Sequence, residues 1–418
     1  DDLDSDDDLS LADDPKDTDP DDDEDDLLGE QRTGTSAIER MRSIAKRNVV
    51  ATAHKSKKSS KQRSGRSSRS SRISKRKVRT VKIIRAVLTI GPHTMPEAND
   101  RAGRSLWRCH SVDEVIAEHT KWDANFRKKC MKAIERRRLP DDLRCKIVAI
   151  LDGAATDAPL LTSHKVLALA WQAVFRALYA LAKDDPDMEF ALVTFITRDG
   201  GTSSDAPVVK LQTSDDRVLR ICRSMGKNFI GITELAMFNS LGHPDGGRHI
   251  QGHEHVLFWG HGAVAKAQGV AQRRMTDLPP NVTNAPQIDV RSVPATEINL
   301  ARICAYLFKS PHKSMNWNPP RDGKPGHMNQ SEKGDRMIRY LRMAMIRSIM
   351  TIEDVMFAGG AGIKIRKSVI DLLRQTCHSD VPVQNRLLHP DSIPAFWTEV
   401  IRELRRIKWR LPVIARRP

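Results

Sequence analysis

Apolar positions fall into two periods along this chain. From residue 104 they recur at helical spacing. SVDEVIAEH opens a helix with Ser111 and Glu114 set three apart as a capping box, LPDDLRCKIVAIL restarts after Pro140, and HKVLALAWQAVFRALYALAK forms a long apolar helix over 164–183. The period then shortens. EFALVTFIT (189–197) reads as a strand, VVKLQTSDDRVLRICRSM (208–225) includes a helix, and NFIGITELAMF (228–238) is a second strand. A loop rich in Gly, Pro and His leads to HEHVLFW, a third strand. HGAVAKAQGVAQRRM follows as a helix, PQIDVRSVP as a fourth strand, and EINLARICAYLFK (297–309) as a helix. The order β-α-β-β-α-β-α predicts an α+β fold. Its centre is a ferredoxin-like βαββαβ antiparallel sheet with helices mainly on one face.

Beyond Lys309 the segment SPHKSMNWNPPRDGKPGHMNQSEKGD reads as loop. MTIEDVMFAGGAGIKIRKSVIDLLRQ reads as helix, Gly-rich turn, helix, which suits a helix-turn-helix-like DNA-binding unit or a plain helical hairpin, and WTEVIRELRRIKWRLPVIARRP as a basic amphipathic helix and tail. These patterns divide the chain into an acidic disordered tail (1–30), a basic disordered arm (31–80), an N-terminal helical region (81–185), an α+β unit (186–310) and a C-terminal helical region (311–418). No apolar run has the length of a membrane helix, and the acidic N-terminus does not read as a secretory signal.

Charge sharpens this picture. The net charge is +16, but residues 1–30 hold 17 Asp or Glu against one Lys, so the rest of the chain is far more basic than the total suggests. Residues 54–79 carry 12 Lys or Arg and no acid, spaced by serine. Neither block can pack a core, so both are expected to be disordered. A body this basic points to nucleic acid. The six cysteines are scattered without a C-x-x-C pair, which fits a reducing compartment and a cytoplasmic, nucleoid-associated location.

The candidate chemistry centres on GHEHVLFWG. On a strand, His253 and His255 point the same way and can share one divalent cation. Glu234, on the preceding strand of the hairpin, can reach that cation as a third ligand; His249, read as a loop residue, is its rival. Two histidines and a carboxylate with open positions suit Mg²⁺ or Mn²⁺ bound together with a substrate phosphate. Tyr306 lies on the helix after the fourth strand, with Lys309 on the same helix face. A phenol beside a cation and a bound phosphate can act as nucleophile, with Lys309 lowering its pKa or balancing phosphate charge. Thr194 and Thr197, at the end of the first strand, can support the site, and Arg198 and Lys313 are candidate DNA contacts. Taken singly, each piece has an ordinary explanation: a polar strand end, a packed tyrosine, a surface glutamate.

Together, ALVTFIT, GHEHVLFWG and AYLFK resemble the three motifs of the HUH endonuclease superfamily, close to its single-tyrosine rolling-circle replication initiators. FIGITELAMF resembles the strand that supplies the acidic ligand in many members. The resemblance covers about residues 189–310, with Glu254 standing where the family carries a hydrophobe. It implies a metal-dependent endonuclease and strand transferase. Such an enzyme nicks single-stranded or hairpin DNA at a replication origin through a 5′-phosphotyrosine at Tyr306. A transposase or conjugative relaxase shares this chemistry, and a non-catalytic RRM-like binder would share the fold. No G-x-x-x-x-G-K-[ST] loop is present, so the helicase and polymerase would come from the host.

Overall fold

A computed structural model describes residues 106–418 apart from 197–199, 212–215, 240–247, 280–285, 312, 319–326, 332–336, 381–385, 405–406 and 416–418. The acidic tail and the basic arm lie outside the described residues, as do Thr197 and Arg198.

After a turn of 3-10 helix at Leu106–Arg108 come α1 (Val112–Arg136), α2 (Asp141–Asp152) and α3 (His164–Asp184). The start of α1 is the one its sequence predicts. Ser111 Oγ accepts the Glu114 amide at 3.2 Å, while the Glu114 carboxylate reaches back one residue further than a capping box requires, to the His110 amide at 2.7 Å. The next elements are β1 (Glu189–Phe195), β2 (Gly201–Ser203), β3 (Val208–Lys210), α4 (Asp216–Met225), β4 (Phe229–Asn239), β5 (Arg248–Gly260), α5 (Ala263–Arg274), β6 (Ile288–Val293) and α6 (Glu297–Leu307). The chain continues through β7 (Ser314–Asn318), β8 (His327–Ser331), α7 (Met337–Ser348), α8 (Ile352–Val355), β9 (Met356–Gly359), α9 (Gly362–Asp380), α10 (Ile393–Glu403) and β10 (Val413–Ala415).

The fold is α+β. Its main sheet runs β6-β1-β5-β4-β7-β8, with β2 beside β5 and β9 beside β4. All of its pairings are antiparallel except that of β4 with β7. Strand β5 is central, paired with β1 on one side and with β4 along eleven residues on the other.

Side chains alternate between the two faces, and both faces are covered, not mainly one as the sequence suggests. On one face Ala191, Val193, Phe195, Val256 and Phe258 pack under α4 and α5. On the other, Leu192, Ile230, Ile232, Leu257 and Trp259 join a larger core with α1, α3, α6, α7 and α9. The regions flanking the βαββαβ elements supply this second layer. Trp171 of α3 is fully buried in it, and burial of a side chain of this size contributes about 3 kcal/mol. Among the described residues α3 is the one helix long and apolar enough to span a membrane, and 67% of its most apolar stretch is buried inside the fold.

Three further expectations change. The supposed loop after Lys309 contains β7 and β8, which extend the sheet beyond β4. The supposed helix–turn–helix is a four-residue helix, strand β9, and then α9: Met356–Gly359 pairs with Ile232–Phe229, so the segment completes the sheet edge and presents no such unit. Gly231 makes room for this strand, because a Cβ there would lie 2.5 Å from the Phe357 ring. The tail after α10 ends in β10, parallel to β3, where the buried Arg342 binds the carbonyls of Ser204, Asp205 and Arg410.

Candidate metal centre

The β4–β5 register places Glu234 directly opposite His253, and the period of two puts His255 on the same face. Glu234 Oε2 lies 3.2 Å from His253 Nε2 and 2.9 Å from His255 Nε2. The imidazole rings stand nearly perpendicular, with centroids 4.7 Å apart. One donor atom from each of the three residues falls within 4.8 Å of the others, and all three residues are buried, at 8%, 8% and 2% exposure.

The strand beside them orients the site. Thr194 of β1 pairs with His255, and its Oγ1 lies 2.9 Å from His255 Nδ1, which turns Nε2 toward Glu234. Helix α6 closes the cleft. The Tyr306 ring meets the His255 ring edge-on at 4.9 Å between centroids. Lys309 Nζ stands 3.7 Å from the centroid of the Tyr306 ring and 3.5 Å from Glu234 Oε1.

Electrostatics prepares the donors. Burial alone would raise the Glu234 pKa, but the Lys309 ammonium and the two imidazoles outweigh it and hold the carboxyl well below its usual range. Burial pulls the His255 imidazole down to about 4, against the opposing pull of Glu234. At neutral pH the group therefore presents an anionic carboxylate and a neutral His255, the states a divalent cation requires. The residues fit such an ion: two Nε2 atoms and a carboxylate converge, and the Nδ1 atom of one ligand is already held.

His249 does not join the group. It lies on β5, not in a loop, opposite Phe238, with the two rings stacked at 5.2 Å. The Gly-rich run before it masks the start of that strand. Lys313 lines the cleft together with Thr194, Tyr306 and Lys309. Glu254 faces away from the cluster and is buried at 9%.

The cleft, of about 130 Å³, includes residues the sequence reading missed. Trp107 packs against Tyr306 at 5.7 Å, and nothing in its local sequence announces that contact. Asp289 and Arg291 of β6 are joined at 2.7 Å and lie on the same wall. Their i, i+2 spacing, with Asp289 opposite Thr194, was a readable signal. No family model matches the chain, and no curated protein or solved structure matches it.

Proposed function

We propose that the chain is a metal-dependent DNA strand transferase of the HUH type, acting as a rolling-circle replication initiator. The observation that carries the reading is the convergence of Glu234, His253 and His255 with Tyr306 and Lys309 in one cleft, the phenol ring 4.9 Å from the His255 ring. The order β6-β1-β5-β4, with antiparallel neighbours and crossovers through α4 and α5, supports the ferredoxin-like arrangement that such an enzyme needs.

Glu234, His253 and His255 would hold Mg²⁺ or Mn²⁺, which when bound polarises the scissile phosphate as a Lewis acid. Thr194 keeps the His255 ring aimed into the cleft. The Tyr306 phenol oxygen forms a bond to phosphorus as the P–O3′ bond breaks. The bonding electrons leave on the 3′ oxygen, which takes up a proton, and the phenol proton passes to solvent. Lys309, lying against the ring, favours the negative charge that develops on the phenol oxygen. The 5′-phosphotyrosine stores the energy of the broken bond, so attack by a 3′-OH rejoins the strand without ATP. Lys313 lines the cleft and would meet a flanking phosphate, and a host helicase and polymerase would serve synthesis from the freed 3′ end.

A relaxase or transposase would use the same step. His249 stacks on Phe238 away from the cluster, which favours Glu234 as third ligand and so the initiator over a three-histidine relaxase. An RRM-like binder would need exposed aromatics on its sheet. Here Phe195, Phe229, Phe258 and Trp259 are at most 5% exposed.

The test incubates the protein with labelled single-stranded origin-like oligonucleotides and Mn²⁺ and looks for an adduct that survives denaturation. Tyr306→Phe is expected to abolish both nicking and adduct. Cleavage that persists in this variant points to a hydrolase without a covalent step, and a wild-type protein that binds but never cuts overturns the proposal.

A further inference from the structure

Lys309 lies just beyond the last turn of α6, where the helical ladder no longer fixes the backbone. Its amide reaches the Tyr306 carbonyl only at 3.4 Å. Yet its ammonium sits between the Tyr306 ring and Glu234. Something else must hold the segment in place.

Two hydrogen bonds from α1 bracket it. His119 Nε2 donates to the carbonyl of Phe308, the residue before Lys309, at 3.1 Å. Ser310, the residue after it, donates its hydroxyl to Asp123 Oδ1. His119 and Asp123 stand one helical turn apart and are buried, at 1% and 4% exposure. Burial pulls the His119 imidazole down to about 4, so it is neutral and its single ring proton faces the Phe308 carbonyl. Both side chains belong to the helical region that precedes the βαββαβ elements, and neither is part of the Glu234 cluster.

We infer that His119 and Asp123 are positioning residues for Lys309, clamping the peptide on either side so that its ammonium stays over Tyr306 and against Glu234. What Lys309 then does for the phenol rests on the strand-transfer reading; the clamp itself does not.

Two measurements test it. The first is competitive acetylation with limiting N-acetoxysuccinimide, read by mass spectrometry as the ratio of Lys309 to Lys129. Lys129 is a reference on α1, its ammonium donating to the Tyr340 hydroxyl at 3.0 Å. The second is the rate of adduct formation on a single-stranded oligonucleotide. Ser310→Ala removes one bond and is expected to raise the labelling ratio about fivefold; the double variant His119→Leu/Asp123→Leu removes two and is expected to raise it about twenty-fivefold, since each lost bond is worth roughly a factor of five. His119→Gln and Asp123→Asn keep a donor and an acceptor and are expected to stay near the wild-type ratio. A ratio unchanged in Ser310→Ala overturns the inference even if the double variant does not fold. If labelling responds while wild-type protein forms no adduct, the clamp stands and the strand-transfer reading falls. If adduct forms while labelling does not respond, the reverse holds.

Discussion

Two buried histidine–carboxylate groups among the described residues have opposite electrostatic fates. In the β4–β5 group, Glu234 faces two imidazoles and an ammonium and is held well below the usual carboxylate range. In the α1 group, Asp123 receives the Ser310 hydroxyl on one oxygen, while its other oxygen lies 3.9 Å from His119 Nδ1, beyond hydrogen-bond distance. Burial therefore dominates and raises the Asp123 pKa to about 7, despite Arg347 and Arg127 pulling the other way. Burial itself does not decide the charge of a carboxylate. What decides it is whether donors and cations stand within reach of its oxygens. The first group is equipped to hold a cation; the second is equipped to hold a peptide.

The sharpest way to break this contrast is to remove the charge from the first group. Glu234→Ala is expected to weaken Mn²⁺ binding by more than about a hundredfold, since even outer partners of metal ligands cost ten- to a hundredfold. Titration calorimetry reads the effect, and retained affinity would mean that the cation sits elsewhere. In the second group the contrast shows as pH dependence. Between about pH 4 and pH 7 the folded protein keeps on Asp123 a proton that the unfolded chain has released, so this residue costs stability as pH rises through that window. Asp123→Asn removes the dependence. Its melting temperature relative to wild type is expected to climb from pH 4 to pH 7 and level off above, by the equivalent of at most about 4 kcal/mol. A flat difference would show that Asp123 is ionised in the fold. The smallest effect concerns the hold on the first group: Thr194→Val removes the partner of His255 Nδ1 and is expected to cost about tenfold in Mn²⁺ affinity, with little change in thermal stability.

The two groups also differ in how far the sequence reveals them. His253, His255 and Glu234 were legible because strand alternation and a short hairpin fix their relation locally. His119 and Asp123 were not. They sit four apart in the apolar stripe of α1, among Val115, Ile116, Trp122 and Phe126, and their partners Phe308 and Ser310 are 189 and 187 residues away. Polar residues inside such a stripe were the available signal. Strand β9 was hidden for a similar reason: Met356–Gly359 follows a capping box at Thr351 and Asp354 and precedes a helix, so local preference reads helix, and only the open edge of β4 makes it a strand. The three-residue strands β3 and β10 pair across about 200 residues and carry no local pattern.

The place of β5 at the middle of the sheet has a mechanical consequence. Its backbone at His255 is paired on both sides, with Thr194 and with Ile232, and at His253 with Glu234, so the floor of the cleft is set before anything enters it. The phenol and the ammonium hang from a helix end tied down at two points.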